Sequence, residues 1–224
     1  MSFAQVNSKV VSAPVAPGRE VLARRGAMLA YTGDLSFAPV HGAAGGMGGA
    51  GGMLGRMVAG EQVAMMVAQG TGTVYYGFGG SYVTIIELDG SGPLTAESDR
   101  LVAHDAGLQS TVVFLGQQGG LRGALRGAVT GQGLFTTQLH GVGSVAVLSH
   151  GGTIAIPVGA GRGDGGRPVA VDPQAYVGHV GQLNVDISAS VGWRDAVGRG
   201  SGEAIQLKLT GYGTVYVQAS EQKF

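Results

Sequence analysis

The chain has no cysteine, which excludes disulfide frameworks, cysteine-ligated zinc, iron–sulfur clusters and cysteine nucleophiles. Charge is scarce: Asp, Glu, Lys and Arg make up 12% of 224 residues, against about 25% in a typical domain. The 14 basic residues balance 14 acidic ones, and without clustered positive charge nothing competes for phosphates, so nucleic-acid binding is not expected. Long apolar runs are missing as well. The densest, Val63 to Ala68, is six residues long, where a membrane-crossing helix needs about 20. Met1 to Val10 has no apolar run after Lys9 and no arginine-rich amphipathic pattern, so it reads as neither a secretory signal nor a transit peptide. The expected location is the cytoplasm, free or peripheral to the membrane.

Glycine is the excess: 44 of 224 residues, about one in five, against a usual share of about 7%. Each glycine inside a helix costs roughly 1 kcal/mol relative to alanine, so a helical bundle is excluded. The 44% hydrophobic share is nevertheless ample for a core. A sparsely charged surface is easiest to understand when copies of the chain cover one another, which predicts a homo-oligomer, with a trimer as the favoured number.

Three copies of Gly-x-Gly-[Ser/Thr]-Val punctuate the chain: Gly70-Thr71-Gly72-Thr73-Val74, Gly141-Val142-Gly143-Ser144-Val145 and Gly211-Tyr212-Gly213-Thr214-Val215. Their spacings are 71 and 70 residues. Gly60-Glu61, Gly131-Gln132 and Gly202-Glu203 precede them at spacings of 71 residues. A third set aligns Val21-Leu22-Ala23-Arg24 with Leu101-Val102-Ala103-His104 and Tyr176-Val177-Gly178-His179. Each third therefore reads as an apolar strand, a glycine-rich excursion, a Gly-Glu/Gln turn, a strand ending at Gly-x-Gly and a further strand. The Gly-x-Gly pairs and the Gly-Glu/Gln pairs are expected to serve as structural turns, the side-chain oxygens of Glu61, Gln132 and Glu203 capping turn amides.

Period-two alternation of Leu183, Val185 and Ile187 with polar residues, and of Ile205, Leu207 and Leu209 with Gln206 and Lys208, predicts half-buried strands. Val83 to Ile86, Thr111 to Leu115 and Val145 to Leu148 read as strands buried on both faces. The expected fold is all-β: three pseudo-equivalent β-sheet repeats, roughly 10–90, 91–165 and 166–220, forming one compact β-prism or barrel-like domain over residues 1–224.

Candidate chemistry is thin. Gly46 to Gly51 fits G-x-G-x-x-G, but no helix-forming segment follows to hold a pyrophosphate and Glu61 comes too soon for the ribose. No Gly-Lys dipeptide and no G-x-S-x-G elbow is present. His104 and His179 fall at equivalent repeat positions, yet the third equivalent is Arg24, which repels a cation, so no metal site is expected. No cofactor is expected either. Asp99, Asp105, Asp172 and Asp186 read as turn or surface carboxylates. Met47, Met53, Met57, Leu121 and Leu125 in the glycine-rich excursions, with the lone tryptophan Trp193, are the candidate partner contacts.

The order Gly60-Glu61, Gly70-x-Gly72, Gly133-Leu134-Phe135, Gly141-x-Gly143-Ser144-Val145, Pro168-Val169-x-Val171-Asp172, Ala175-Tyr176-Val177, Gly202-Glu203 and Gly211-x-Gly213-Thr214-Val215 resembles the AIM24 family, over about Arg19 to Ala219. The resemblance implies an all-β, oligomeric protein of the tryptophan RNA-binding attenuator-like superfamily without established enzymatic activity. The namesake's RNA binding does not transfer, because no lysine-rich edge matches it. The expected function is a non-enzymatic oligomeric scaffold or interaction protein with a protein or membrane-surface partner. The alternative is a small-ligand-binding protein or an enzyme with a pocket between its sheets.

Overall fold

The computed structural model describes residues 2–40, 64–114, 135–159, 168–189 and 205–222. The first strands among these residues are β1 (Ala4–Asn7), β2 (Val10–Val15), β3 (Val21–Arg24), β4 (Met28–Pro39) and β5 (Met65–Tyr76). Next come β6 (Tyr82–Asp89), β7 (Leu94–Glu97), a 3-10 turn (Ser98–Arg100), β8 (Leu101–Asp105), β9 (Gln109–Phe114), β10 (Phe135–His140) and β11 (Val142–Ser149). Finally there are β12 (Thr153–Val158), β13 (Val169–Val171), β14 (Tyr176–Ala189) and β15 (Ile205–Gln218). The protein is all-β, as the glycine content demands. One sheet runs β1-β2-β5-β3-β8-β11-β6 with β4 added to β5; the other runs β12-β15-β14-β7-β10-β9 with β13 added to β15. Together they curve into a nearly closed, barrel-like body.

The predicted alternation is realised where it matters for burial. Leu183 and Val185 point inward while Asn184 and Asp186 face solvent, and Leu207 and Leu209 are buried either side of exposed Lys208. Val145 to Leu148 are buried throughout, as befits a strand flanked on both edges by β6 and β8. Pro157 sits on β12, whose pairing among the described residues is with β15 alone, so its missing N–H costs no ladder bond on the outer side.

Pairing registers place β5, β15 and the successive strands β10 and β11 in matching surroundings. β5 takes β3 along its first half and β2 along its second; β15 takes β13 and β12 in the same way; β10 and β11 take β7 and β6. Opposite the motif valines Val74, Val145 and Val215 stand Tyr31, His104 and His179. In each case the facing strand bulges two residues earlier, at Leu29, Val102 and Val177.

These registers correct several expectations. The segment matching Leu101–His104 and Tyr176–His179 is Met28–Tyr31 on β4, whereas Val21–Arg24 forms β3, which pairs β5 and β8. The tyrosine at the third position, not Arg24, is the counterpart of the two histidines. β6 falls inside the expected first third but pairs β11 of the second, and β12 falls inside the expected second third but pairs β15 of the last. Gly70 and Gly72 lie inside the continuous strand β5, and Gly211 and Gly213 inside β15, instead of ending strands; only at Gly141 does the ladder break, between β10 and β11. Their job is close approach. A Cβ on Gly72 would lie 2.0 Å from the carbonyl oxygen of Thr32, and one on Gly213 2.1 Å from that of Val180. Behind Gly143 the corresponding space is taken by the Asp105 carboxylate.

Gly60, Glu61, Gly131, Gln132, Gly202 and Glu203, together with Met47, Met53, Met57, Leu121, Leu125 and Trp193, lie outside the described residues.

Candidate functional site

Two polar constellations and one exposed strand are the places where this fold could act. The first is a cleft of about 510 Å³ beside the Gly143-Ser144 step of β11. Glu87 reaches it from β6, Asp105 from the end of β8, and Arg19 and Glu20 from the turn before β3. The Ser144 amide donates to Asp105 Oδ2 at 2.7 Å, and the Ser144 hydroxyl donates to the Glu87 carboxylate, with Oε2 at 2.9 Å, while accepting from the Phe3 amide at 3.1 Å. Arg19 Nε stands 3.7 Å from Asp105 Oδ1. The hydroxyl is thus held between the Glu87 carboxylate and the Phe3 amide, with no histidine among its hydrogen-bond partners. His104, next to Asp105, turns into the core, where its Nδ1 donates to the Asp105 carbonyl at 2.9 Å. The cleft's groups fasten β11 to β6, β8 and Phe3 just before β1. Asp105, read from sequence as a surface carboxylate, is half-buried, and its partners lie 39 residues on at Ser144 and far back at Arg19.

The second constellation is buried. Arg100, with no exposed surface, binds Glu97 through Nε and donates from Nη1 to Gln218 Oε1 at 2.7 Å. Gln218 also accepts from the His150 amide at 3.0 Å and donates to the carbonyls of Ser220 and Gln222 at 2.8 and 2.7 Å. Nearby, Tyr176 Oη lies 2.7 Å from His179 Nδ1 and donates to the Thr95 carbonyl at 3.3 Å. Burial pushes the Tyr176 phenol far up, helped by the negative charge of Glu97, and pulls His179 down to about 4. Burial also lowers His104, against the opposing pull of the Asp105 carbonyl and charge. Neither histidine meets the other: their partners are Tyr176 and the Asp105 backbone. Among the described residues no three of His, Cys, Asp and Glu stand together as metal ligands.

A neutral buried histidine makes folding pH-dependent. With a folded value near 4 and an unfolded value of 6.5, His179 takes up its proton first in the unfolded chain as the pH falls. Its contribution is complete above pH 6.5 and is lost on acidification toward 4, to a limit of about 3 kcal/mol. Urea midpoints measured across that window are expected to fall with pH, and more gently in His179→Asn than in the native chain. Equal slopes would show that His179 is not the group responsible.

The third feature is β4. Met28 to Asp34 are all exposed, and Met28, Leu29 and Tyr31 leave 43%, 56% and 48% of their surface in solvent. At the matching positions Leu101, Val102, His104, Tyr176, Val177 and His179 are buried. Sequence reasoning missed β4, because its exposed first half gives no period-two signal and only Leu35 and Phe37 alternate.

The family model described as mitochondrial biogenesis AIM24 matches residues 3–220. The chain belongs to the AIM24 family. A crystal structure of a Streptococcus pyogenes protein superposes with a TM-score of 0.66 at 21% identity, covering 98% of this chain and 92% of that one, which shows a shared fold. None of the curated proteins matches. Like the sequence, the fold of this AIM24 chain offers no membrane-crossing helix among the described residues.

Proposed function

We propose that this AIM24-family protein is a non-enzymatic scaffold that works as a self-assembled oligomer of three-repeat chains. The observation that carries the reading is β4, a strand with three large apolar side chains in solvent and, among the described residues, a neighbour on one edge only. An open apolar edge is a template for strand addition, which soluble proteins normally cover or blunt with charge. Here Asp34 is the sole charged residue on the strand, so cover by another copy is the simpler solution.

The repeat reading is supported by the shared register around Val74, Val145 and Val215 and by the three matched bulges. Its units are better drawn as β2 to β5, β6 to β11 and β12 to β15 than at the boundaries expected from sequence. The acidic cleft speaks less for ligand binding or catalysis, since the Ser144 hydroxyl and amide and the facing carboxylates already hold one another.

Sedimentation and light scattering of the native chain are expected to give a mass above one subunit. Leu29→Glu places a charge in the exposed strand without touching the core, and is expected to weaken assembly by about tenfold or more while leaving the β-sheet spectrum unchanged. A monomeric native protein, or an unaltered mass in the variant, would sink the proposal.

A further inference from the structure

The chain contains the same inter-strand junction twice. In the first instance β3 pairs β8, with Val21, Leu22 and Ala23 opposite Asp105, His104 and Ala103. In the second β7 pairs β14, with Leu94, Thr95 and Ala96 opposite Val180, His179 and Gly178. The two agree residue for residue, because His104 and His179 both face a motif valine and Val21 and Leu94 both sit opposite a residue two before the motif's first glycine, Ala68 and Leu139.

Each junction needs one strand of the β3 type and one of the β8 type. A third strand of each type exists. β13 holds the place of β3 and β7, since Val169 faces Leu209, two residues before Gly211. β4 holds the place of β8 and β14, since Tyr31 faces Val74. Yet among the described residues β13 pairs only β15 and β4 only β5. The operation that joins the first unit to the second and the second to the third leaves half a junction at each end of the chain.

We propose that β13 of one copy pairs antiparallel with β4 of the next, in the register of the two internal junctions, so that copies join head to tail through Val169–Thr32, Ala170–Tyr31 and Val171–Ala30. The proposal rests on the self-assembly reading above and supplies its surface and partner. The occupant is a second copy because a strand presented like β13 repeats what already covers β8 and β14, and the chain's own β13 does not pair β4. Burial agrees: at the two occupied junctions the β8-type strand is covered, whereas Met28, Leu29 and Tyr31 are open and Ala170 on β13 is exposed. The two faces differ, so the contact is heterologous and closes into a ring or extends as a filament.

The absence of native cysteine makes the register directly testable. Cα atoms of directly opposed antiparallel residues lie about 4.5–5.5 Å apart, within disulfide reach. Tyr31→Cys and Ala170→Cys chains, mixed and oxidised, are expected to give a covalent dimer containing one of each. Tyr31→Cys with Val169→Cys, one residue out of register and on the opposite face, is expected to cross-link several-fold less. Ala30→Cys with Val171→Cys repeats the test should loss of the tyrosine disturb β4.

A double-cysteine chain that oxidises to a closed monomer would overturn the proposal by showing β4 joined to β13 of its own chain. Dimers of Tyr31→Cys with itself would overturn it in favour of a symmetric β4 contact. An oligomer by sedimentation that forms none of these cross-links removes this surface but keeps self-assembly, whereas a monomer by sedimentation removes both.

Discussion

Arg100→Ala is expected to lower the stability of the fold by about 3–5 kcal/mol, a large part of the roughly 5–15 kcal/mol that holds a domain together. The argument starts from position. The 3-10 turn Ser98–Arg100 brings residues three apart onto one side, which sets the Arg100 guanidinium against the Glu97 carboxylate where both are buried. Removing the cation leaves Glu97 charged in the interior and takes a donor from Gln218 Oε1. The cost is desolvation left uncompensated rather than the loss of one attraction. A companion chain carrying Arg100→Met and Glu97→Leu together should recover most of the loss, because neither member of the buried pair is then charged. Urea unfolding of both chains decides it: a single-variant loss under about 1 kcal/mol would mean that water reaches the pair.

Gly213→Ala is expected to cost about 3 kcal/mol or more, by a different route. The added methyl would sit 2.1 Å from the Val180 carbonyl oxygen, and the obstacle is backbone, so β14 and β15 have to separate at the centre of their ladder. Gly72→Ala meets the Thr32 carbonyl at 2.0 Å in the β4–β5 pair and is expected to behave alike. Gly107 is the control: nothing lies within 4 Å of a Cβ there, and Gly107→Ala should change stability by less than about 1 kcal/mol. Thermal melts of the three chains check the contrast, and a Gly213→Ala protein as stable as Gly107→Ala would show that the strands part freely.

The all-β fold was readable from glycine content and from alternation such as Leu183 and Val185 against Asn184 and Asp186. The spacing of the Gly-x-Gly-[Ser/Thr]-Val motifs picked out Val74, Val145 and Val215, which do occupy corresponding ladder positions. The third aligned set was misassigned in the first repeat. Val21–Arg24 mimics Leu101–His104 in apolar content, but Met28–Tyr31 holds the place, and the exposed Met28–Asp34 stretch of β4 has no inward face to betray it. The polar groupings were illegible for a plainer reason: Ser144 meets Glu87 across 57 residues and Arg100 meets Gln218 across 118, separations over which a sequence carries no geometric signal. Gly70, Gly72, Gly211 and Gly213 were read as turns and instead stand inside strands where another backbone passes closely, since composition cannot tell a chain reversal from two backbones crossing closely.

The matched bulges at Leu29, Val102 and Val177 carry a consequence for how the polypeptide reaches its native state. β4, β8 and β14 offer similar lips to any strand of the β3 type, so an unfolded chain holds interchangeable partners within itself and in its neighbours. At high concentration that equivalence invites exchange of segments between molecules, and dilution favours the correct pairing because intramolecular encounter does not depend on how many neighbours are present.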